Sequence, residues 1–187
     1  MNKRDIILQT SLKLFNEYGF HGTPTSKIAK EAGVSNGSLF NYFPTKVELI
    51  NTLYLEIKTD LSAYIKKNYN EELDFKEKIK QVWVGLVLWG IENPDKFKFK
   101  ESFSHSTYID AMMLEKIEET FKFAYEVFLE GFNENYFIDA DKRLISEWIY
   151  NSSKTCIKYV TQNDLKGPNK EKAIEDSYKI LINGICK

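Results

Sequence analysis

The chain has 187 residues, 43% of them hydrophobic and 28% charged, with a formal net charge of −1. That is enough apolar material to bury one large core or two smaller ones, and it excludes disorder and any partner choice made by bulk charge. The charge is uneven, because residues 1–50 hold six Lys/Arg and four Asp/Glu, against 20 and 23 in the remainder.

Apolar residues recur at spacings of three and four, and strand alternation is nearly absent, so the fold class is all-α with about nine helices. A first helix over 5–18 sets Ile7, Leu8, Ser11, Leu12, Phe15 and Tyr18 on its inner side, and Gly19 follows its end. Thr23-Pro24 reads as an N-cap with proline at the first helical position, opening a two-turn helix over 24–31 that Gly33 ends. Ser35 caps a third helix over 36–42, which Pro44 stops. Thr45 to Glu48 has the form of a capping box, and the long helix after it turns Ile50, Leu53, Tyr54, Ile57, Leu61, Tyr64 and Ile65 inward. The run VWVGLVLWGI over 82–91 carries no charge and predicts a helix buried on all sides. Asn93-Pro94 opens a short helix containing KFKFK, read as solvated lysines beside partly buried rings. Long helices follow over 107–130, with Gly131 at the end, then over 139–162 and 169–185.

The third helix poses a question, since Asn36, Gly37, Ser38 and Asn41 are poor helix formers yet stand between strong helical patterns. Three short helices with a tight turn are the plan of a helix-turn-helix, whose third helix enters the DNA major groove. Ala29 is small where helices cross, Gly33 supplies a turn of positive φ, and Leu39 anchors the third helix. Small residues at its start let the backbone approach bases, while Ser and Asn donate and accept at base edges or phosphates.

The run LKLFNEYGFHGTPTSKIAKEAGVSNGSLFNYFPTKVELI resembles the DNA-binding domain of the TetR/AcrR family of transcriptional regulators, over about residues 4–50. Phe15, Gly19, Thr25, Ile28, Ala29, Ala32, Gly33, Val34, Ser35, Gly37, Leu39, Tyr42, Phe43, Lys46 and Leu49 carry the likeness. The resemblance implies a helix-turn-helix head over 1–48 and a helical ligand-binding and dimerising body over 49–187. It implies a homodimeric repressor that holds a palindromic operator in double-stranded DNA and is released by a small apolar or amphipathic ligand, while the two unpaired cysteines and the lack of a spanning run set the expectation of a reducing, cytoplasmic protein. The alternative is a TetR-fold DNA-binding protein acting through a protein partner. Carried over by position, the likeness puts Thr25 and Ser26 near phosphates, counts the capping Ser35 among the DNA-binding residues, turns Asn36, Gly37, Ser38 and Asn41 to the groove, and gives Tyr42 and Lys46 backbone contacts. Phe40 stands where the family most often has tyrosine, and it either meets a thymine methyl or packs.

The body carries no catalytic constellation, so an enzyme is not expected, nor a cofactor. Cys156 and Cys186 lack CxxC spacing and neighbouring histidines and read as buried thiols, so no metal site is expected. No run approaches the ~18 apolar residues that span a bilayer, and no membrane role is expected. Aromatic residues are in excess over three successive helices. Trp83, Trp89, Phe103, Tyr108, Met112 and Phe128 suit either an ordinary core or the wall of an apolar ligand cavity, with His105 as a polar contact in it. The last two helices carry apolar stripes, and the resemblance implies that part of them, at Trp148, Ser152, Cys156, Tyr178 and Leu181, pairs with a second subunit as a four-helix bundle.

Overall fold

A computed structural model describes residues 2–103, 108 and 111–187, with the backbone alone for 111 and 112. Among the described residues there are ten helices and no strand, only an isolated antiparallel bridge between Phe137 and Cys186. They form two compact units, Met1–Asp60 with Asn93–Thr120, and Leu61–Glu92 with Phe121–Lys187.

The first unit begins with α1 (Lys3–Tyr18), capped by Asn2, whose side chain accepts from the Asp5 amide. Its inner face is Ile7, Leu8, Ser11, Leu14 and Phe15. Leu14 rather than Leu12 completes the stripe, and Tyr18 lies outside it, its exposed ring carrying the Lys27 ammonium at 3.2 Å. Gly19 ends the helix at φ 73°, as its position predicts. Next come α2 (Thr25–Glu31) and α3 (Asn36–Tyr42).

Thr23 does not cap α2, contrary to the sequence expectation, and Pro24 stands at the cap with no side-chain bond. The threonine is fully buried and donates to the Gly19 and Leu14 carbonyls at the end of α1. A buried hydroxyl has to bond somewhere, and the unsatisfied carbonyls of a helix C-terminus are the stronger demand.

α4 (Lys46–Lys66) starts at the predicted box, with Thr45 Oγ1 accepting from the Glu48 amide at 3.0 Å. α6 (Pro94–Phe103) and α7 (Ala111–Thr120) complete the first unit. The lysines of α6 are not all solvated, which corrects the sequence expectation. Lys100 is only 4% exposed and bonds Glu101 Oε1 at 3.0 Å, and Lys96 bonds Asp60 Oδ2 at 2.8 Å. A period of 3.6 brings two adjacent residues inward together, so Phe99 and Lys100 enter side by side.

The second unit is built on α5 (Phe75–Glu92), packed against α8 (Lys122–Asn133), α9 (Lys142–Gln162) and α10 (Gly167–Ile185). The uncharged run of α5 is not buried on all sides. Trp83, Val87, Trp89 and Gly90 are buried, whereas Val84, Leu86, Leu88 and Ile91 are only half-buried. The predicted helix over 107–130 is two helices, broken at Phe121, whose φ of −107° and ψ of 13° leave the helical region. The boundary between the units falls at the same place.

Gly131 does not end α8, as its sequence position suggested, but lies inside it. A Cβ there would come within 2.2 Å of the Phe137 ring and 2.8 Å of Phe75, so the helix approaches its neighbours where only hydrogen fits. The chain end closes over this region, with Ile138 N–H donating to the Ile185 carbonyl and Lys187 N–H to that of Tyr136, both at 2.9 Å. Since both phenylalanines are buried, Gly131→Ala is expected to cost about 1–3 kcal/mol. Urea unfolding should show it as a lower midpoint at unchanged slope.

Candidate nucleic-acid interface

The turn between α2 and α3 is made by Gly33 at φ 68°, with Val34 N–H donating to the Ala29 carbonyl at 3.0 Å. Ser35 then caps α3 as predicted, its hydroxyl oxygen accepting from the Ser38 amide at 3.1 Å. Leu39 and Phe43 are buried and fix which side of α3 is inward. The outward side carries Asn36, Gly37, Asn41, Phe40 and Tyr42, the two rings 42% and 44% exposed. Ser38 is half-buried, as is Thr25 at the start of α2, and Ser26 is exposed. Thus one exposed side of α2 and α3 presents amides, hydroxyls and two aromatic rings, with an anchored apolar side behind them.

Gly37 has no positive φ, and a Cβ added to it would meet only Ser35 Oγ, at 4.0 Å. Neither backbone strain nor crowding within the chain calls for glycine there. Glycine is also a poorer helix former than alanine.

Lys46 is half-buried, and its ammonium donates to the Phe20 carbonyl oxygen. Burial pushes its pKa below the ordinary value. Arg4 pairs with Glu56 at 2.6 Å and lies over the Phe43 ring.

Of the residues predicted for a ligand, Phe103 and Tyr108 come together in the first unit, around the ring of Phe20 at 6.1 and 5.9 Å. Phe103 also stacks on Tyr54 at 4.1 Å. Trp83, Trp89 and Phe128 belong to the second unit. Trp83 is buried, donates from Nε1 to Ser152 Oγ at 2.9 Å and lies against Tyr178. Trp89 is buried, and Phe128 packs edge-on to Phe132. His105 lies outside the described residues, as does the Met112 side chain.

Sequence reasoning missed a polar cluster in the first unit, where α4 supplies Tyr54 and Lys58 and α6 supplies Lys100 and Glu101. Burial pushes Lys58 down to about 8, with the Lys100 charge adding to the effect and Glu101 opposing it. Burial and the Glu101 charge hold the Tyr54 phenol up at about 12. Tyr54 and Lys58 stand four apart on α4 and Lys100 and Glu101 are adjacent on α6, but about forty residues separate the two pairs, so no local spacing signalled that they meet.

A groove of about 480 Å³ runs between α9 and α10. Ser152, Cys156, Ser177 and Gly184 are among its small lining residues, and Leu144, Trp148 and Ile180 stand at it 53%, 62% and 77% exposed. Of the residues predicted for an interface, Trp148 is exposed and Ser152 half-buried, whereas Cys156, Tyr178 and Leu181 are buried within the chain. Leu144 and Ile180 went unnoticed because they fall beside the main apolar stripes. Among the described residues, no three His, Cys, Asp or Glu side chains gather as a metal site requires, and no helix is long and apolar enough to cross a membrane.

Residues 7–53 match the family profile of bacterial regulatory proteins, tetR family. A TetR family transcription regulator from Shewanella sp. PV-4 superposes with a TM-score of 0.87 over 100% of both chains at 26% identity. The head and the fold are those of a TetR-family transcriptional regulator. The FadR regulator from Bacillus subtilis, solved in complex with stearoyl-CoA, shares the fold at a TM-score of 0.71 over 97% of this chain and 98% of its own, with 21% identity. The nucleoid occlusion factor SlmA of Vibrio cholerae is 30% identical over 95 residues, which are 50% of this chain and 48% of SlmA. The matched stretch spans between about a quarter and about a half of the curated relatives' length. The fold is shared with solved transcription regulators.

The half-buried Lys58 has a consequence for stability. Its folded pKa lies below its usual 10.5, so the unfolded chain binds more protons between the two values and stability rises with pH there. Burial raises both thiols from their usual 9.0, which works the other way above that pH. The expected outcome is a urea midpoint that increases from pH 8 to pH 9, with the increase reduced in Lys58→Met.

Proposed function

We propose that the chain is a homodimeric repressor whose α2 and α3 hold a palindromic operator in double-stranded DNA, and that a small apolar or amphipathic ligand releases it. Gly37 carries the DNA reading. Its glycine is uncalled for inside the chain and sits on an exposed helix start among Asn36, Ser38 and Asn41. Close approach of an outside surface supplies the missing reason, because a Cβ would hold the bases or phosphates away. In this reading Asn36, Ser38 and Asn41 read base edges, Phe40 meets a thymine methyl, and Thr25, Ser26, Ser35 and Tyr42 contact the DNA backbone.

The dimer reading is supported by the exposed Leu144, Trp148 and Ile180 beside the α9–α10 groove, a face that a second copy would cover by two-fold symmetry. Two heads set about 34 Å apart then read one face of a palindrome. The ligand reading is supported by the aromatic content of both units and by the stearoyl-CoA held by a regulator of the same fold. Its proposed contacts are Trp83, Trp89 and Phe128 in the second unit or, taken separately, Phe103 and Tyr108 in the first, with His105 and Met112 outside the described side chains. A second reading, action through a protein partner, is favoured by the likeness to a nucleoid occlusion factor. Native mass spectrometry and DNA release by the recovered small molecule separate the two, since only the ligand-released repressor loses its operator to such a molecule.

Gly37→Ala is expected to leave the free protein at least as stable while weakening binding to an operator selected from random DNA. Asn41→Ala and Tyr42→Ala should each weaken that binding by about 1–3 kcal/mol, measured by anisotropy, and unchanged affinity in all three removes α3 from the interface. For the dimer, Trp148→Glu with Ile180→Glu is expected to shift the mass in light scattering from two copies to one. A wild type already of one copy would refute it.

A further inference from the structure

α3 lies within a stretch of the chain that carries no charge. From Ala32 to Thr45 there is no Asp, Glu, Lys, Arg or His, while Glu31 and Lys46 bound it. What α3 can offer outward is therefore limited to amides, hydroxyls and the rings of Phe40 and Tyr42.

The helical period singles out one of the amides. At about 100° per residue, Asn41 stands about 160° round the helix from the buried Leu39, on the side farthest from the core. Gly37 lies one turn before it on the same row. Side chains lean toward the start of their helix, so the Asn41 amide leans over the residue without a Cβ, where the space is open. Other asparagines spend their amides inside the chain. Asn16 donates to the Asp95 carbonyl at 2.8 Å, Asn151 to that of Glu147 at 2.9 Å and Asn163 to that of Tyr159 at 2.8 Å. Among the described residues Asn41 makes no such bond, and it is exposed. Phe40, its neighbour in the chain, is 42% exposed despite its apolar ring.

In the major groove, guanine is read by Arg or Lys and cytosine by a carboxylate. Adenine takes the paired donor and acceptor of an Asn or Gln amide, and thymine offers its methyl to an apolar group. α3 holds the last two kinds of side chain and neither of the first two.

We propose that α3 selects A·T pairs, with Asn41 holding adenine at N6 and N7 and Phe40 covering the thymine methyl, so that the operator is A·T at the bases this helix meets. This rests on the DNA-binding reading and adds to it the kind of base pair read. Lysines outside the uncharged stretch, Lys30 and Lys46 among them, then supply attraction to phosphate, which carries no sequence information.

Selection from random DNA with the full chain is expected to return half-sites that are A·T at the positions α3 covers. In that operator, 7-deazaadenine removes only the N7 acceptor of adenine, and deoxyuridine removes only the methyl of thymine. The wild type is expected to lose about ten-fold in affinity to the first at the adenine held by Asn41, and about four-fold to the second at the thymine under Phe40. Asn41→Ala should be indifferent to 7-deazaadenine and Phe40→Ala to deoxyuridine, each keeping the penalty that belongs to the other. Both side chains are exposed, so both variants are expected to keep a urea midpoint close to that of the wild type, whose own analogue penalties need no variant. Half-sites that are G·C where α3 sits overturn this proposal alone. So do A·T half-sites that tolerate both analogues, because DNA shape rather than base edges is then being read, and so do penalties that persist in the matching variants. A wild type that selects no sequence overturns the DNA-binding reading and this proposal together.

Discussion

The third helix cannot hold itself. It has seven residues, four of them Asn, Gly or Ser, and isolated helices shorter than ~12–15 residues are marginal even with good helix formers. Its order comes from Leu39 and Phe43, both buried, and from Ser35, which closes its first turn. Everything outward on α3 follows from that anchoring. Residues that form helix poorly are tolerated there only because the inner side is fixed by others. Gly33, held at φ 68°, lets the chain turn sharply between α2 and α3.

A comparable economy governs the second unit. α5 is long and apolar, yet only part of its surface is covered by α8, α9 and α10. Close approach is achieved by removing side chains, at Gly131 against Phe75 and Phe137 and at Gly85 against Ile65. α9 and α10 turn Ile145, Ile157, Val160 and Leu181 inward, yet leave Leu144, Trp148 and Ile180 outside. An amphipathic helix with apolar residues beyond its buried stripe has a second face to satisfy.

The polar groups buried in the first unit obey a different demand. Ser11 returns its proton to the Ile7 carbonyl, Thr23 satisfies the end of α1, and Lys100 meets Glu101. Each is a side chain that composition alone would assign to the surface, brought inside because a partner is present.

Local signals in the chain were enough for most of the fold and for the outline of the reading head. Caps at Ser35 and Thr45, the stop at Gly19 and the turn at Gly33 act within three or four residues, so the sequence specifies them directly. The all-α class and the short third helix were legible for that reason. The role of Thr23, the place of Gly131, the break at Phe121 and the burial of Lys100 were not, and neither was the bond from Lys46 to Phe20, which spans 26 residues. By itself the sequence determined which segments are helical and which side chains the third helix offers. The tertiary structure alone decided which polar group meets which carbonyl and which apolar face stays uncovered, because those outcomes depend on competition among partners far apart in the chain, and only the packed fold brings the competitors together.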